Sequence, residues 1–284
     1  IDASNNIVDN DTGAAGGSWK FTTAKMSPVR RRAVGFGYNG FIYSLAGYSG
    51  TASLQDLLFA KINVSTGDLS AFGRSGVVVT PRWDLKAIVS NGYVYAIGGC
   101  GTGAAPNACT AMQPEVQTFQ LYNNDSGTPI SFSASANQMA TDRMGASSAL
   151  IDGTLYVAGG CTSNSDCSTA TNSVEYTSID VYGNLSGWTS GGNLPAATAW
   201  GQLEVLGRTN KTLYYLGGQN SGGTGQTAVY YSSSFTGLSP NWSTSGQPLP
   251  SARTQFSSVT WDNRIYVTGG SGSGGTCSVA SVCD

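Results

Sequence analysis

Short apolar segments alternate with turn-forming dipeptides along the chain, in a pattern that occurs five times. Each copy has an apolar segment, a turn, and a second apolar segment that contains a tyrosine and ends in a pair of small residues. In four copies the turns are Asn39-Gly40, Asn91-Gly92, Asp152-Gly153 and Asp262-Asn263. Such dipeptides favour a type I′ turn, which requires positive φ at both central positions. The pattern therefore predicts an antiparallel hairpin in every copy.

The spacing of the copies indicates a radial arrangement. The repeated tyrosines are Tyr43, Tyr95, Tyr156, Tyr214 and Tyr266, separated by 52, 61, 58 and 52 residues. This period is typical of radial β-repeats rather than of helical solenoids. An arginine precedes the tyrosine in four copies, as Arg30, Arg82, Arg143 and Arg253. Thr198 takes the place of the arginine in the remaining copy.

Two further segments in each copy have the composition of outer strands. Third strands are expected at residues 57–62, 116–122, 174–181 and 228–233. Weaker fourth strands follow, with aromatics at Phe72, Phe132, Trp188 and Trp242. Four antiparallel strands per unit, repeated radially, form the blade of a β-propeller.

The two ends of the chain complement each other. Residues 5–9 and 18–21 have the third- and fourth-strand pattern, whereas the C-terminal copy has the first two strands and then stops. Together the ends would form one blade and remove the open sheet edges. We therefore expect residues 1–284 to form a single all-β domain, a five-bladed β-propeller of four-stranded antiparallel blades. Its N- and C-terminal strands would share one blade.

The full set of repeated features resembles the kelch repeat over essentially the whole chain. These features are the arginine, the alternating strand, the Asn/Asp-Gly turn, the tyrosine, the glycine pair and a later tryptophan. The loop types are similar to those of kelch-like arrays in secreted or bacterial cell-surface proteins. Two features depart from the family: five blades are fewer than the usual six or seven, and paired cysteines follow the glycine pair.

The cysteines predict the cellular compartment. All six lie in close pairs in the loop that follows the glycine pair of a copy: Cys100 with Cys109, Cys161 with Cys167, and Cys277 with Cys283. Recurrence at one position favours a local disulfide in each loop, and hence an extracellular or cell-surface location. The alternative is a four-thiolate zinc site, which would require two of these loops to converge.

Composition excludes several classes of partner. Net charge is −2, so a nucleic-acid partner is not expected. No stretch reaches the ~20 apolar residues that a transmembrane helix needs. Because the chain begins at Ile1 rather than at methionine, we expect a processed or excised piece. Its expected partners include other copies of the chain or further domains of a larger parent protein.

The absence of histidine limits the chemistry. It excludes Ser-His-Asp triads, histidine bases and most zinc sites, and it removes ligands that the copper centre of the kelch-like galactose oxidase requires. We expect no catalytic residue, metal or cofactor. The remaining enzymatic alternative is glycoside hydrolysis by a carboxylate pair drawn from Asp84, Asp142 and Glu204. Glu204 lies in an apolar strand. If buried without a partner it would act as the general acid; alternatively, it faces the central channel or pairs with a neighbouring arginine.

The repeated arginines are the main candidates for ligand binding. Arg30, Arg82, Arg143 and Arg253 would form a ring around one mouth of the channel and bind a carboxylate or sulfate. Alternatively, they tie one blade to the next through backbone carbonyls. Trp83 and Trp200 would stack on sugars at the same mouth, or fill the space between blades.

Six Asn-x-Ser/Thr sequences are candidate glycosylation sites, at Asn10, Asn63, Asn124, Asn184, Asn210 and Asn241. The function that fits these features is a non-enzymatic extracellular recognition or adhesion module, with a glycan or a cell-surface protein as ligand. The alternatives are a structural subunit of a surface layer or filament, and a glycan-active hydrolase.

Overall fold

The computed structural model describes residues 6–8, 15–18, 24–102, 109–121, 126–134, 138–163 and 167–272. These residues form strands, turns and loops, so the predicted all-β class is confirmed. Within them there is no helix that is long and apolar enough to cross a membrane.

Four complete four-stranded antiparallel sheets follow a short N-terminal hairpin, in which β1 (Asn6–Val8) pairs with β2 (Ala15–Ser18). Blade 1 consists of β3 (Val34–Tyr38), β4 (Phe41–Tyr48), β5 (Ser53–Lys61) and β6 (Gly73–Val77). Blade 2 consists of β7 (Lys86–Ser90), β8 (Tyr93–Ile97), β11 (Val116–Leu121) and β12 (Pro129–Ala134). Between its second and third strands lies the small hairpin of β9 (Cys100–Thr102) and β10 (Ala111–Met112).

The remaining strands continue the same order. Blade 3 consists of β13 (Ser147–Ile151), β14 (Thr154–Ala158), β15 (Ser173–Ser178) and β16 (Thr189–Asn193). Blade 4 consists of β17 (Gln202–Leu206), β18 (Thr212–Leu216), β19 (Val229–Ser232) and β22 (Ser243–Thr244). A small hairpin of β20 (Phe235–Thr236) and β21 (Ser239–Pro240) lies before its last strand. The last hairpin consists of β23 (Ser257–Trp261) and β24 (Arg264–Thr268).

The first strand of every blade lies innermost. β3, β7, β13, β17 and β23 follow one another around a central channel, each in contact with the next along the chain. The hairpin turns have the predicted geometry, since Asn39, Asn91 and Asp152 have φ of 47°, 49° and 46° and each precedes a glycine with positive φ. The blades therefore have the predicted radial order.

The strand directions give the propeller two different faces. At the mouth face the innermost strands begin, and the glycine pairs and the cysteine loops lie there. At the turn face lie the hairpin turns and the loops that follow each third strand. Ile62, Leu121 and Ile179, at the ends of three third strands, each donate a backbone hydrogen bond to a turn glycine.

Apolar side chains from neighbouring blades fill the space between the sheets. Between blades 1 and 2, Tyr43 and Leu57 pack in one cluster with Val94 and Phe119. An equivalent cluster joins blades 3 and 4. Full burial of such side chains contributes about 1.5–3 kcal/mol each, so the contacts between blades hold the radial order together.

The predicted number of blades is only partly supported, because the described residues form four complete blades rather than five. The last hairpin is two-stranded, and β1 and β2 pair with each other in a separate sheet. One face of the last hairpin exposes Val259, Trp261 and Tyr266. The sharing of one blade by the two ends of the chain therefore stays a prediction.

Two of the three predicted disulfides are present. Cys100 bonds to Cys109, with Cα atoms 5.7 Å apart, and Cys161 bonds to Cys167, with Cα atoms 5.1 Å apart. No cysteine among the described residues is free, so the zinc alternative does not hold for these four. Cys277 and Cys283 lie outside the described residues. Disulfides are compatible with an extracellular location.

The third pair provides a first test. Because Cys277 and Cys283 lie close together in the loop after the glycine pair of their copy, as the two observed pairs do, we expect them to form a local disulfide. Peptide mapping without reduction would find the two residues in one cross-linked fragment. Free thiols at these positions, or a link to another blade, would contradict the assignment.

Candidate functional site

The repeated arginines bond within their own blades. In each of the four, Nη1 donates to the first carbonyl of the small-residue pair sixteen residues later. The acceptors are Ala46, Gly98, Gly159 and Gly269, at 3.1, 3.1, 2.8 and 3.0 Å. In blade 4, Thr198 replaces the arginine and its hydroxyl donates to the equivalent carbonyl of Gly217 at 3.1 Å.

The backbone of the same position joins neighbouring blades. The second residue of each pair donates its N–H to the carbonyl of the next blade's arginine position. These bonds run from Gly47 to Arg82, Gly99 to Arg143, Gly160 to Thr198 and Gly218 to Arg253, at 2.8, 2.9, 2.9 and 2.9 Å. Each such position therefore braces its own blade through the side chain and the preceding blade through the backbone.

Three of the arginines also pair with acids that the sequence analysis did not identify. Arg30 pairs with Asp56 at 3.0 Å, Arg82 with Glu115 at 3.4 Å, and Arg143 with Glu175 at 2.5 Å. The Arg82 and Arg143 side chains are fully buried.

Burial lowers the pKa of Arg82 to about 10, against the opposing effect of Glu115. Burial likewise lowers the pKa of Arg143, against the opposing effect of Glu175. Arg253 is half-buried and bonds to Ser251 at 2.8 Å. The guanidinium groups therefore tie strands within one blade rather than one blade to the next, and the ligand-binding role of the arginines stays a prediction.

A second ring of residues, two positions after the arginines, surrounds the channel mouth. This mouth ring consists of Arg32, Asp84, Gly145, Trp200 and Gln255, all of which line the channel. Their φ angles are 56°, 53°, 59°, 53° and 56°. Each residue donates its N–H to the carbonyl of the preceding member, from Asp84 to Gln255, at 3.0, 3.0, 2.7 and 3.0 Å. A chain of backbone hydrogen bonds thus runs along the channel mouth. It joins the residues that lie just before the five inner strands.

Four members of the mouth ring have side chains although their backbone favours glycine. A left-handed conformation costs a bulky residue on the order of 1–3 kcal/mol, and such strain concentrates at functional sites. Glycine occupies the position only in blade 3. The backbone conformation therefore does not account for the side chains at the other four positions.

Three of these side chains form what we call the mouth network. Arg32 binds Asp84 through Nε–Oδ1 at 3.1 Å and Nη2–Oδ2 at 2.8 Å. Trp200 Nε1 donates to Asp84 Oδ2 at 3.1 Å. The Arg32 guanidinium also lies over the ring of Trp83, 4.2 Å from its centroid. Blades 1, 2 and 4 are therefore connected across the mouth.

Gly145 gives Trp200 the space that it needs. A Cβ atom at Gly145 would lie 2.5 Å from Trp200 Nε1, so the indole of blade 4 passes over blade 3 to reach Asp84. Burial raises the pKa of Asp84, against the opposing effects of Arg32 and the Trp200 hydrogen bond. A glycine in one blade thus positions an aromatic side chain from the next.

A channel of about 750 Å³, lined by both polar and apolar side chains, adjoins the network. Lys86 Nζ donates to Gln202 Oε1 at 3.0 Å, which connects blades 2 and 4. Glu204 accepts from the hydroxyls of Ser258 and Thr260 at 2.5 and 2.8 Å. Burial lowers the pKa of Lys86, against the opposing effects of Asp84 and Glu204.

The predicted aromatic and acidic candidates differ in their exposure and in whether they line the channel. Trp83 is buried beneath Arg32, whereas Trp200 is half-buried at the channel mouth. Asp84 and Glu204 both line the channel, but Asp142 is exposed and does not line it. Glu204 therefore matches the interpretation in which it faces the channel, and its partners are hydroxyls rather than an arginine.

Both observed disulfides lie beside the mouth. Cys100, Cys109, Cys161 and Cys167 pack in one buried cluster with Trp83, Met144 and Ala199, which directly follow the arginine positions. This cluster forms an apolar layer around the polar mouth network. The cysteine loops and the mouth ring therefore belong to the same face of the propeller.

The candidate glycosylation sites among the described residues lie on the opposite side. Four of the six are described and all four are exposed: Asn63, Asn184, Asn210 and Asn241. Asn210 lies in the inner hairpin loop of blade 4, and the other three lie in loops that follow third strands. All four are at the turn face. Asn10 and Asn124 lie outside the described residues.

Comparisons with known proteins agree with this architecture. The kelch motif family model matches residues 142–176, which contain Arg143 and the first two strands of blade 3. A solved structure entitled "Structure of YjhT" has a TM-score of 0.64 and 17% identity, over 87% of this chain and 74% of that chain. At this identity the likeness shows the fold alone. No curated protein sequence matches the chain. The chain is therefore a β-propeller that carries the kelch motif.

Proposed function

We propose that the protein is a non-enzymatic, extracellular or cell-surface recognition module that binds a glycan or a cell-surface protein at its mouth face. The observation that carries this proposal is the mouth ring, which keeps charged and aromatic side chains on a strained backbone at the opening of a channel. A purely structural ring would be less strained with glycine at each of these positions.

Two features of the mouth face support the proposal. Disulfides brace two loops beside the network, which reduces the conformational entropy that the loops would lose on binding. The described candidate glycosylation sites all lie on the turn face, so glycans attached there would leave the mouth face accessible. A kelch propeller with this arrangement is suited to binding a partner at the mouth.

The test is a screen of glycans and cell-surface proteins, followed by titration of the hits against Gly145→Ala. The new Cβ would occupy the position of the Trp200 indole, so the indole would move away from Asp84. We expect binding to weaken about tenfold or more, since a well-placed hydrogen bond to a charged group is worth about 1.5–3 kcal/mol.

The control is Tyr182→Ala, which removes an exposed aromatic from the turn face. This variant should bind as tightly as the unmodified chain. Equal binding by the Gly145→Ala protein, or a loss of binding in the Tyr182→Ala protein, would contradict the proposed location.

We also propose that residues 1–23 complete a fifth blade and close the propeller as one domain. β1 and β2 pair antiparallel, as the third and fourth strands of the complete blades do. They precede Arg30, as the outer strands of each complete blade precede the next arginine position. They would then extend the last hairpin at the edge of β24, as the third strand of each complete blade pairs with the second.

The exposed face of the last hairpin also favours a second candidate function, a structural subunit of a surface layer or filament. Val259, Trp261 and Tyr266 would then bury against another copy. Particle images of the intact chain would distinguish the two functions, because ordered polymers would favour the structural subunit.

A further inference from the structure

We infer that the channel beneath the mouth network holds the end of a neutral, hydroxyl-rich glycan, which hydrogen-bonds to Glu204 and Lys86. This inference rests on the proposed function and specifies its ligand class. The ligand would be a neutral glycan rather than an acidic one. Its contacts would lie in the channel wall rather than on the repeated arginines.

Glu204 offers fixed acceptors to hydroxyl groups. Ser258 donates to Oε1 at 2.5 Å and Thr260 to Oε2 at 2.8 Å, so the carboxylate is held against β23 in one orientation. An ionised carboxylate has about four acceptor positions, and the two hydroxyls use one on each oxygen. The positions that remain can accept a pair of neighbouring hydroxyls from a sugar.

Lys86 offers donors to the oxygen atoms of the same ligand. Gln202 donates its amide N–H to the carbonyl of Phe256 at 2.5 Å, which directs its Oε1 toward Lys86. The ammonium has three N–H donors and gives one to Gln202. Lys86 and Glu204 therefore present donors and acceptors to the same channel, as hydroxyl groups require.

The charges of the channel favour a neutral ligand. Arg32 is neutralised by two hydrogen bonds to Asp84, and the carboxylates of Asp84 and Glu204 both act on Lys86. Two cations and two anions leave no net charge to attract a carboxylate or sulfate. An anionic group would approach two carboxylates in a site where partial burial strengthens repulsion. A hydroxyl can donate to one group and accept from the other.

Blade 3 leaves room for such a ligand. Its contribution to the channel wall includes Gly145, Ser147, Ser148 and Ala149, which are all small. The channel volume of about 750 Å³ lies within the range of about 300–1,000 Å³ that is typical of small-molecule sites. The half-buried Trp200 at the mouth provides an aromatic edge where the glycan would leave the channel.

The test is calorimetric titration of the intact chain with matched neutral and acidic oligosaccharides, at about 50 mM and about 500 mM NaCl. We expect a neutral oligosaccharide to bind with a Kd that is insensitive to salt. Glu204→Gln should weaken binding by about tenfold to a hundredfold, because it replaces a charged acceptor. Ser258→Ala should weaken binding less, since it removes only one hydroxyl that orients Glu204.

The matched control is Asp262→Asn, which makes the same type of change at an exposed position on the turn face. It should bind normally, and melting temperatures would confirm that all variants fold. Salt-sensitive binding of acidic oligosaccharides alone, or unchanged binding by the Glu204→Gln protein, would overturn the inference. If a protein ligand binds in a Gly145-dependent manner but no saccharide does, the proposed function stands and this inference fails. If saccharide binding depends on Glu204 but not on Gly145, the inference stands and the proposed role of the mouth network fails.

Discussion

Arg143→Ala should lower the free energy of unfolding by about 3–5 kcal/mol, the range for breaking one partner of a buried ion pair. The Arg143 side chain is fully buried, donates to the carbonyl of Gly159 at 2.8 Å and pairs with Glu175 at 2.5 Å. Its removal leaves the buried Glu175 carboxylate without a countercharge, with two backbone N–H donors from Ala140 and Thr141. It also leaves the carbonyl of Gly159 without its donor. Thermal denaturation would show a decrease in Tm on the order of 10 °C.

The matched control is Arg264→Ala, because Arg264 forms an exposed pair with Asp262. An exposed pair is worth about 0–1 kcal/mol, so this variant should be nearly as stable as the unmodified chain. Arg253→Ala should have an intermediate effect, since Arg253 is half-buried. Reduced ligand binding with an unchanged Tm in the Arg143→Ala protein would show instead that the arginine contacts ligand.

Deletion of residues 1–23 should destabilise the protein and cause it to associate. If these residues pair with β24 to complete the fifth blade, their loss leaves the edge of this apolar inner hairpin unpaired. Exposed apolar faces and unpaired edges promote association. Sedimentation would show a smaller monomer fraction, and thermal denaturation a lower Tm. A truncated chain that stays monomeric and equally heat-stable would contradict the closure proposal.

A single substitution in the full-length chain tests the same closure. Tyr266→Ser should cost about 2–4 kcal/mol if closure of the propeller packs the last hairpin against the neighbouring blade, because a large buried side chain is lost. Tyr182→Ser is the matched control, since Tyr182 is exposed on the turn face, and it should change stability by about 0.5 kcal/mol or less. Equal effects of the two substitutions would indicate that the last hairpin is uncovered.

The blade architecture could be predicted because the repeat encodes it locally. Dipeptides such as Asn91-Gly92 specify the turns through their backbone conformation, and the cysteine pairs recur in the loop after the glycine pair. The replacement of an arginine by Thr198 could also be located, because the repeat spacing identifies its position. The number of complete blades could not be established in the same way, since it depends on how distant ends of the chain pack.

The role of the arginines could not be predicted from their spacing. The repeat places them at the mouth, but it does not give the direction of a side chain. Arg82 and Arg143 turn into their own blades, toward Glu115 and Glu175, whose distance along the chain differs from blade to blade. These acids lie near the start of a third strand, which is the signal that could have identified them.

The mouth ring was missed for a different reason. Its members differ in residue type, and the property that they share is a left-handed backbone conformation. Arg32, Asp84 and Trp200 belong together only because Gly145 leaves room between two of them. Such a site depends on contacts between non-adjacent blades, which a repeat pattern within one chain does not specify.

Hydrogen–deuterium exchange of the intact chain, with and without the ligand that the screen identifies, tests the location of the binding site most directly. If ligand binds at the mouth network, peptides that contain Asp84 and Trp200 should be protected. Peptides that contain Tyr182 at the turn face should exchange at the same rate in both states. Protection confined to the turn face, with no change around Asp84 and Trp200, would contradict the proposal that the mouth face recognises the ligand.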